Sequence, residues 1–309
     1  MEKNLIELNN LTKTFKAYDS SFKSSKTYIK ATDDISLQIR KADSLGIVGE
    51  SGSGKTTLAN LITGILPPDS GKILYKNRDI LSSGEKLFRE YRKNVQMIFQ
   101  DPYSSLNPKL KIYSTLKDGI KRHITKDKKD IYSRCVELME MVGLTEKHLS
   151  RYPHQFSGGQ MQRISIARAL SIEPEIVVAD EPVSSLDVSI QAQILNLLQK
   201  LRKESGKTLL LIAHDLAIVN FLCDEILVMY KGKALEYGKS SEVIKNPLHP
   251  YTKNLLEATT KKDIKKVTTE TTGLCPYANR CKFFMDICRN ELYKYQATET
   301  HYALCNLYK

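Results

Sequence analysis

The chain has 309 residues, 41% of them hydrophobic, which is ample for a packed core and long for a single domain. Its 47 Lys and Arg against 35 Asp and Glu give a net charge of +12, spread as lysine along most of the sequence rather than gathered into one nucleic-acid-binding block. No apolar run approaches the roughly 20 residues of a membrane span and the start Met1-Glu2-Lys3-Asn4 does not read as a secretory leader, so a cytosolic chain is expected whose membrane role, if any, comes from a partner.

In chain order, Leu5 to Leu11 and Ile35 to Ile39 alternate apolar and polar positions, as do Ile73 and Tyr75 after the turn Pro67-Pro68-Asp69-Ser70-Gly71; these predict short antiparallel strands. The Ser/Lys-rich stretch Lys16 to Lys30 is expected to be a surface loop. Phe15, just before it, is a candidate to stack on a nucleotide base, with Tyr28 as a rival; a strand-end core aromatic is the other role open to Phe15. Next, the apolar run Leu45-Gly46-Ile47-Val48 leads into Gly49-Glu50-Ser51-Gly52-Ser53-Gly54-Lys55-Thr56-Thr57 and an amphipathic stretch from Leu58, a strand, a tight loop and a helix. The pattern G-x-x-x-x-G-K-[ST] in that setting predicts a phosphate cradle, with backbone N–H groups at a helix start, Lys55 reaching the outer phosphates and Thr56 holding Mg²⁺. A nucleoside triphosphate with Mg²⁺ is therefore the expected ligand.

Val95 to Phe99 reads as a buried strand that stops at Gln100-Asp101-Pro102, and the lysine-rich segment from about Tyr103 to Pro153 reads as an inserted helical subdomain with Val136, Leu138, Met139 and Val142 on its apolar face. Ser157-Gly158-Gly159-Gln160 opens a helix; Ser157 suits an N-cap, and the same geometry offers N–H groups and a hydroxyl to an anion. Ile176 to Ala179 is a strand covered on both faces, ending in Asp180 and Glu181, where ligands bind in parallel sheets. Asp180 is placed to support Mg²⁺, and Glu181 to orient or deprotonate a water. Thr208 to Ile212 delivers His214 to the end of its own strand, a candidate γ-phosphate contact. After a Lys/Thr-rich stretch from Lys261 to Thr272, expected to be a linker, come Cys275, Cys281, Cys288 and Cys305. Four thiolates suit a [4Fe-4S] cluster; without C-x-x-C pairs a zinc site is the weaker alternative, and plain thiols a third. Cys135 and Cys223 sit in apolar patterns and are expected to be buried thiols.

Together these residues resemble the nucleotide-binding subunit of an ATP-binding cassette (ABC) transporter. Gly49 to Thr56 matches the Walker A loop, Gln100 the Q-loop, Ser157 to Gln160 the signature motif, Ile176 to Glu181 the Walker B strand and its glutamate, Ser185-Leu186-Asp187 the D-loop and His214 the switch histidine. The resemblance implies an α/β P-loop core with an antiparallel β subdomain, an inserted helical subdomain at about 103–155 and a cysteine-rich extension. The cassette would span 1–240 and the extension 241–309. It implies catalytic roles for Glu181, His214, Gln100 and Lys55, and nucleotide contacts from Phe15, Gly49, Ser51, Gly52, Ser53, Gly54, Lys55, Thr56, Thr57 and Gln100. Asp180 and Asp187 are expected contacts as well. Thr56, Gln100 and Asp180 would hold Mg²⁺. In this family two subunits close head to tail, so Ser157, Gly158, Gly159 and Gln160 would complete a partner's site.

The strings Met97 to Pro108, Ser185 to Gln193 and His249 to Thr252 look like the peptide and nickel importer branch, and Phe156 to Gln160 like its F-type subunit. The departures are Val183 where threonine is usual, Ser185 where alanine is frequent, and Phe15 where tyrosine is frequent. The tail resembles the cysteine-bearing extension of oligopeptide importer ATPases. The implied partners are two transmembrane permeases, a second ATPase subunit and an extracytoplasmic binding protein, at the cytoplasmic face of the membrane, with no nucleic acid. A soluble ABC ATPase acting on ribosomes or DNA is the alternative of another class.

Overall fold

The alternating stretches at the start of the chain become the long antiparallel strands Asn4–Ala17 and Thr27–Arg40 of the computed structural model, which describes residues 4–17, 27–260 and 273–309. The chain divides into two units, Met1–Ser82 with Leu211–Lys309, and Ser83–Leu210.

In the first unit one sheet has the order Thr27–Arg40, Asn4–Ala17, Ser70–Tyr75, Arg78–Asp79. Its register sets Leu8 opposite Leu37 on one side and Ile73 on the other, and Leu8, Leu11, Ile35, Leu37, Ile73 and Tyr75 are all buried. That is the face the alternation foretold. The expected loop over Lys16 to Lys30 needs correction: Phe15 pairs with Ile29, Lys16 with Tyr28 and Ala17 with Thr27, so both strands run on into it, while 18–26 lie outside the described residues. Backbone pairing continues there although Phe15, Tyr28 and Ile29 are exposed, because a ladder bonds through main-chain groups and needs no apolar face. The expected linker Lys261 to Thr272 also lies outside the described residues.

The other sheet elements of this unit begin with Ser44–Val48, which pairs in parallel with Glu225–Tyr230. Lys233–Lys239 returns antiparallel through Lys231-Gly232, both at positive φ, a tight hairpin. Tyr302–Leu304 then pairs with Lys233–Lys239, and Lys294–Gln296 with Tyr302–Leu304, so strands of the cysteine-bearing extension continue the sheet. The helix Lys55–Ile62 buries Leu58, Ala59, Leu61 and Ile62.

In the second unit Val95–Ile98 pairs in parallel with Ile176–Asp180, whose five residues are all buried. Glu85–Asn94, Ile112–His123, Lys128–Met141, Gly158–Leu170 and Val188–Ser205 are helices. Ile112, Leu116 and Ile120 repeat at helical spacing and are fully buried, as are Cys135, Leu138, Met139 and Val142. Cys135, not Val136, belongs to that face: Val136 is half-buried at the edge of an open groove with Tyr132 and Glu140. Burial pushes the Cys135 thiol up to about 11, the inert state expected of it; Cys223 is buried too.

Candidate functional site

In the first unit, the loop after the buried strand Ser44–Val48 curls so that Gly54 caps the helix Lys55–Ile62. Gly54 has φ 102°, and a Cβ there would stand 1.9 Å from the Ala31 carbonyl oxygen; only glycine fits. The Gly232 N–H donates to the Ser53 carbonyl, 2.9 Å, which beds the loop on the hairpin turn. The Lys55 side chain is buried, its ammonium donating to the carbonyls of Gly49 at 2.7 Å and Glu50 at 2.9 Å. Ser51, Gly52 and Thr56 are exposed, with Thr57 half-buried behind them. The result is a cradle whose open rim sits at a helix N-terminus, with a cation anchored in its floor: a receptor for phosphate.

His214 stands exposed just past Thr208–Ala213, and Asp215 behind it caps Leu216–Leu222 by accepting the Ala217 N–H at 2.7 Å. The ladder places Phe15 opposite Ile29 and Tyr28 opposite Lys16, so the two candidate stacking rings project from opposite faces of the strand pair.

In the second unit, Asp180 ends the buried strand and is itself 3% exposed. Glu181 follows with φ 42°, a left-handed conformation that costs a side-chain-bearing residue of order 1 kcal/mol or more. That backbone turn brings Glu181 to Gln100, at the end of the neighbouring parallel strand: the Gln100 amide donates to the Glu181 carboxylate at 3.2 Å and to the Ser184 hydroxyl at 3.4 Å. Ser184 in turn donates to the Glu181 carbonyl at 3.1 Å. Ser157 is the N-cap of Gly158–Leu170, its hydroxyl accepting from the Gln160 N–H while the Gln160 side chain accepts the Ser157 N–H at 3.1 Å, a capping box. A Cβ on Gly159 would lie 2.5 Å from the Ile190 side chain, so the turn packs directly on the helix that Asp187 begins. The Gln191 amide fastens the segment between by donating to Val183 O, 3.0 Å, and Leu186 O, 2.9 Å. Ser184 escaped the sequence reading, its signal being position beside the D-loop, while Gln191 stood in the string Ser185 to Gln193 without a role of its own.

Cys275, Cys281, Cys288 and Cys305 line one pocket with His249, Pro250 and Phe284. Among the described residues no three His, Cys, Asp or Glu form a preformed set of metal ligands, so the shared lining is the one support there for the expected metal site. Each thiol comes from a different turn, and burial pushes Cys275 up to about 11 and raises Cys281 and Cys305, which favours the thiol over the thiolate. Among the described residues no helix is long and apolar enough to cross a membrane.

Residues 32–184 match the ABC transporter family, and residues 235–288 the C-terminal region of oligopeptide/dipeptide transporters. The chain is 40% identical over 323 residues, 99% of its length and 98% of the other's, to the oligopeptide transport ATP-binding protein AppF of Bacillus subtilis. This chain belongs to the ABC transporter ATP-binding proteins. The chain is also 45% identical over 260 residues to Bacillus subtilis OppF, over 84% of this chain and 83% of that protein. Among solved structures it resembles the ATP-binding cassette MJ0796 in a dimeric post-hydrolysis state with ADP and Pi, at 29% identity and TM-score 0.67, covering 76% of this chain and 98% of that one. The CbiO1 subunit of the Clostridium perfringens CbiONQ transporter gives 29% and 0.66, covering 79% and 92%. The α/β P-loop cassette read from the sequence is thus the fold of its relatives.

Proposed function

We infer that this chain is the ATP-hydrolysing subunit that powers import of oligopeptides or dipeptides by an ABC transporter. The observation that carries this is the end-to-end match to a relative named as an oligopeptide transport ATP-binding protein, joined to a phosphate cradle closed on Lys55. The named relatives are all transport ATP-binding proteins, which does not favour a ribosome- or DNA-bound ATPase.

In the proposed cycle Lys55 and the backbone from Gly49 to Thr57, including Ser51, Gly52, Ser53 and Gly54, hold the ATP phosphates. Thr56, Asp180 and Gln100 would hold Mg²⁺, which would supply charge neutralisation on the phosphates. Glu181 is the base, turned toward the reaction by its left-handed backbone, and Gln100 keeps its carboxylate in place. His214 meets the γ-phosphate, and Phe15 or Tyr28 the base. Ser157, Gly158, Gly159 and Gln160, with Asp187, face the nucleotide of a partner ATPase; catalysis of this kind is mostly positioning and electrostatics. Two transmembrane permeases, a second ATPase subunit and an extracytoplasmic binding protein complete the system, with this chain at the cytoplasmic face of the membrane. The cassette at 1–240 and the extension at 241–309 are the proposed domains.

We carry the cysteine pocket as a metal site on one support, four thiols around a common lining. Iron, sulfide and zinc analysis of anaerobically purified protein decides it, and metal-free protein with four titratable thiols there would sink it. For the main reading, the test is ATP-driven uptake into proteoliposomes holding the permeases, with peptides and nickel chelates as competing cargo. The purified chain alone should bind ATP yet hydrolyse it poorly. Robust ATPase activity independent of protein concentration would overturn the shared-site reading.

A further inference from the structure

Glu50 is an anomaly in an anion site. It lies inside the phosphate cradle, directly after Gly49, and its carboxylate is 40% exposed, a negative charge where phosphate is to bind. The structure answers that charge with Arg280 of the extension, whose guanidinium donates to the Glu50 carboxylate at 2.8 Å. Arg280 is held for the purpose. It lies over the rings of Tyr230 and Tyr277, 5.8 and 5.6 Å from their centres, and donates to the Tyr230 hydroxyl at 3.3 Å. Tyr277 is 1% exposed and packs edge-on against Tyr230, so the seat is rigid.

The same loop residue is gripped at its other polar groups. The Glu50 N–H donates to the hydroxyl of buried Tyr251 at 2.8 Å, and its carbonyl accepts from the Lys55 ammonium at 2.9 Å and from the Ser53 N–H at 3.1 Å. Every polar group of Glu50 is committed before nucleotide arrives. Two of the partners, Tyr251 and Arg280, lie far down the chain, and Arg280 falls within the segment matching the C-terminal region of peptide transporters.

We propose that Arg280 is a positioning residue for ATP binding: it neutralises and fixes the Glu50 carboxylate, and with Tyr251 it makes the cysteine-bearing extension a structural part of the phosphate loop. Preorganising the loop lowers the ordering cost of binding, and cancelling the Glu50 charge removes a repulsion from the phosphates. This rests on the reading of the loop as the ATP site.

The test is the equilibrium affinity of the full chain for a fluorescent ATP analogue with Mg²⁺, for Arg280→Ala, Arg280→Lys, Glu50→Gln and the Arg280→Ala/Glu50→Gln double variant. Arg280→Ala is expected to weaken binding roughly 3- to 30-fold, the range for one partly buried, charge-assisted hydrogen bond. Arg280→Lys should recover part of that. The double variant should bind better than Arg280→Ala alone, because the uncompensated carboxylate is gone; a merely structural role for Arg280 gives a double variant as weak or weaker. In the assembled transporter the effect should fall on KM for ATP and not on kcat. Arg280→Ala or Arg280→Lys at wild-type affinity, or a double variant no better than Arg280→Ala, overturns the proposal. Should Arg280→Ala fail to fold, the comparison of Arg280→Lys with Arg280→Lys/Glu50→Gln asks the same question. Lys55→Ala is the control for the parent reading: it should abolish binding, and retention would refute the ATP assignment of the loop along with the proposal.

Discussion

The two halves of the nucleotide chemistry are built in opposite ways. In the first unit the phosphate loop is braced on all sides: Gly54 against Ala31, Ser53 by Gly232, Lys55 by Gly49 and Glu50, and Glu50 by Tyr251 and Arg280. In the second unit the half-buried Glu181 accepts from the exposed Gln100 amide at 3.2 Å, next to buried Asp180, Pro182 and Val183. A binding surface gains from being rigid before its ligand comes. On the proposed reading the base acts when a partner subunit closes, and its left-handed backbone is already committed.

Four substitutions probe that contrast. Glu181→Gln keeps shape and removes the proposed base, so ATP binding should persist while turnover of the assembled transporter falls on the order of 10²- to 10⁴-fold; normal hydrolysis would show that the second unit carries no base at this position. Gly54→Ala strikes the rigid half. With φ 102° and a carbonyl oxygen in the way, it should cost about 1–3 kcal/mol in thermal unfolding and lose nucleotide binding, whereas a stable, binding-competent protein would mean the loop is not rigid at all. Gln100→Ala removes a support of Glu181 and a proposed Mg²⁺ ligand; hydrolysis should drop by about tenfold, the worth of one hydrogen bond to a charged group, with a smaller fall in affinity for Mg²⁺-ATP. An affinity loss larger than the loss of turnover would show that Gln100 acts mainly on the metal and not on Glu181. The smallest effect is expected at Ser157→Ala, about 1 kcal/mol from the lost cap, seen as a modest fall in melting temperature. If transport falls far more than stability, the hydroxyl has a second task at a partner's nucleotide.

Much of this could be read from the letters. The phosphate loop is a local object, its glycines, Lys55 and flanking strand and helix all within a few residues, and so its spacing announces it. Ser157 declared itself as a cap, and Asp180 and Glu181 by ending an apolar run. What the letters could not show was anything set by distant partners. The strand pairing through Lys16 and Tyr28 proceeds by backbone bonds that leave no hydrophobic rhythm. Cys135 displaced Val136 because helix rotation, not hydrophobicity, chose which of two neighbours faces the core. The four cysteines promised a cluster by number, yet number does not say whether sulfurs converge. Arg280 carried no signal, since an ion pair across 230 positions has no local pattern.

That separation has a consequence in time. A ribosome makes the chain from its N-terminus at ~5–20 residues per second, so a nascent phosphate loop waits roughly 10–50 s before Arg280 is even synthesised. Until then Glu50 leaves its charge uncompensated at the rim of the loop. On the proposal above, the phosphate loop is fully braced only once Tyr251 and Arg280 have been made and have folded back onto Glu50.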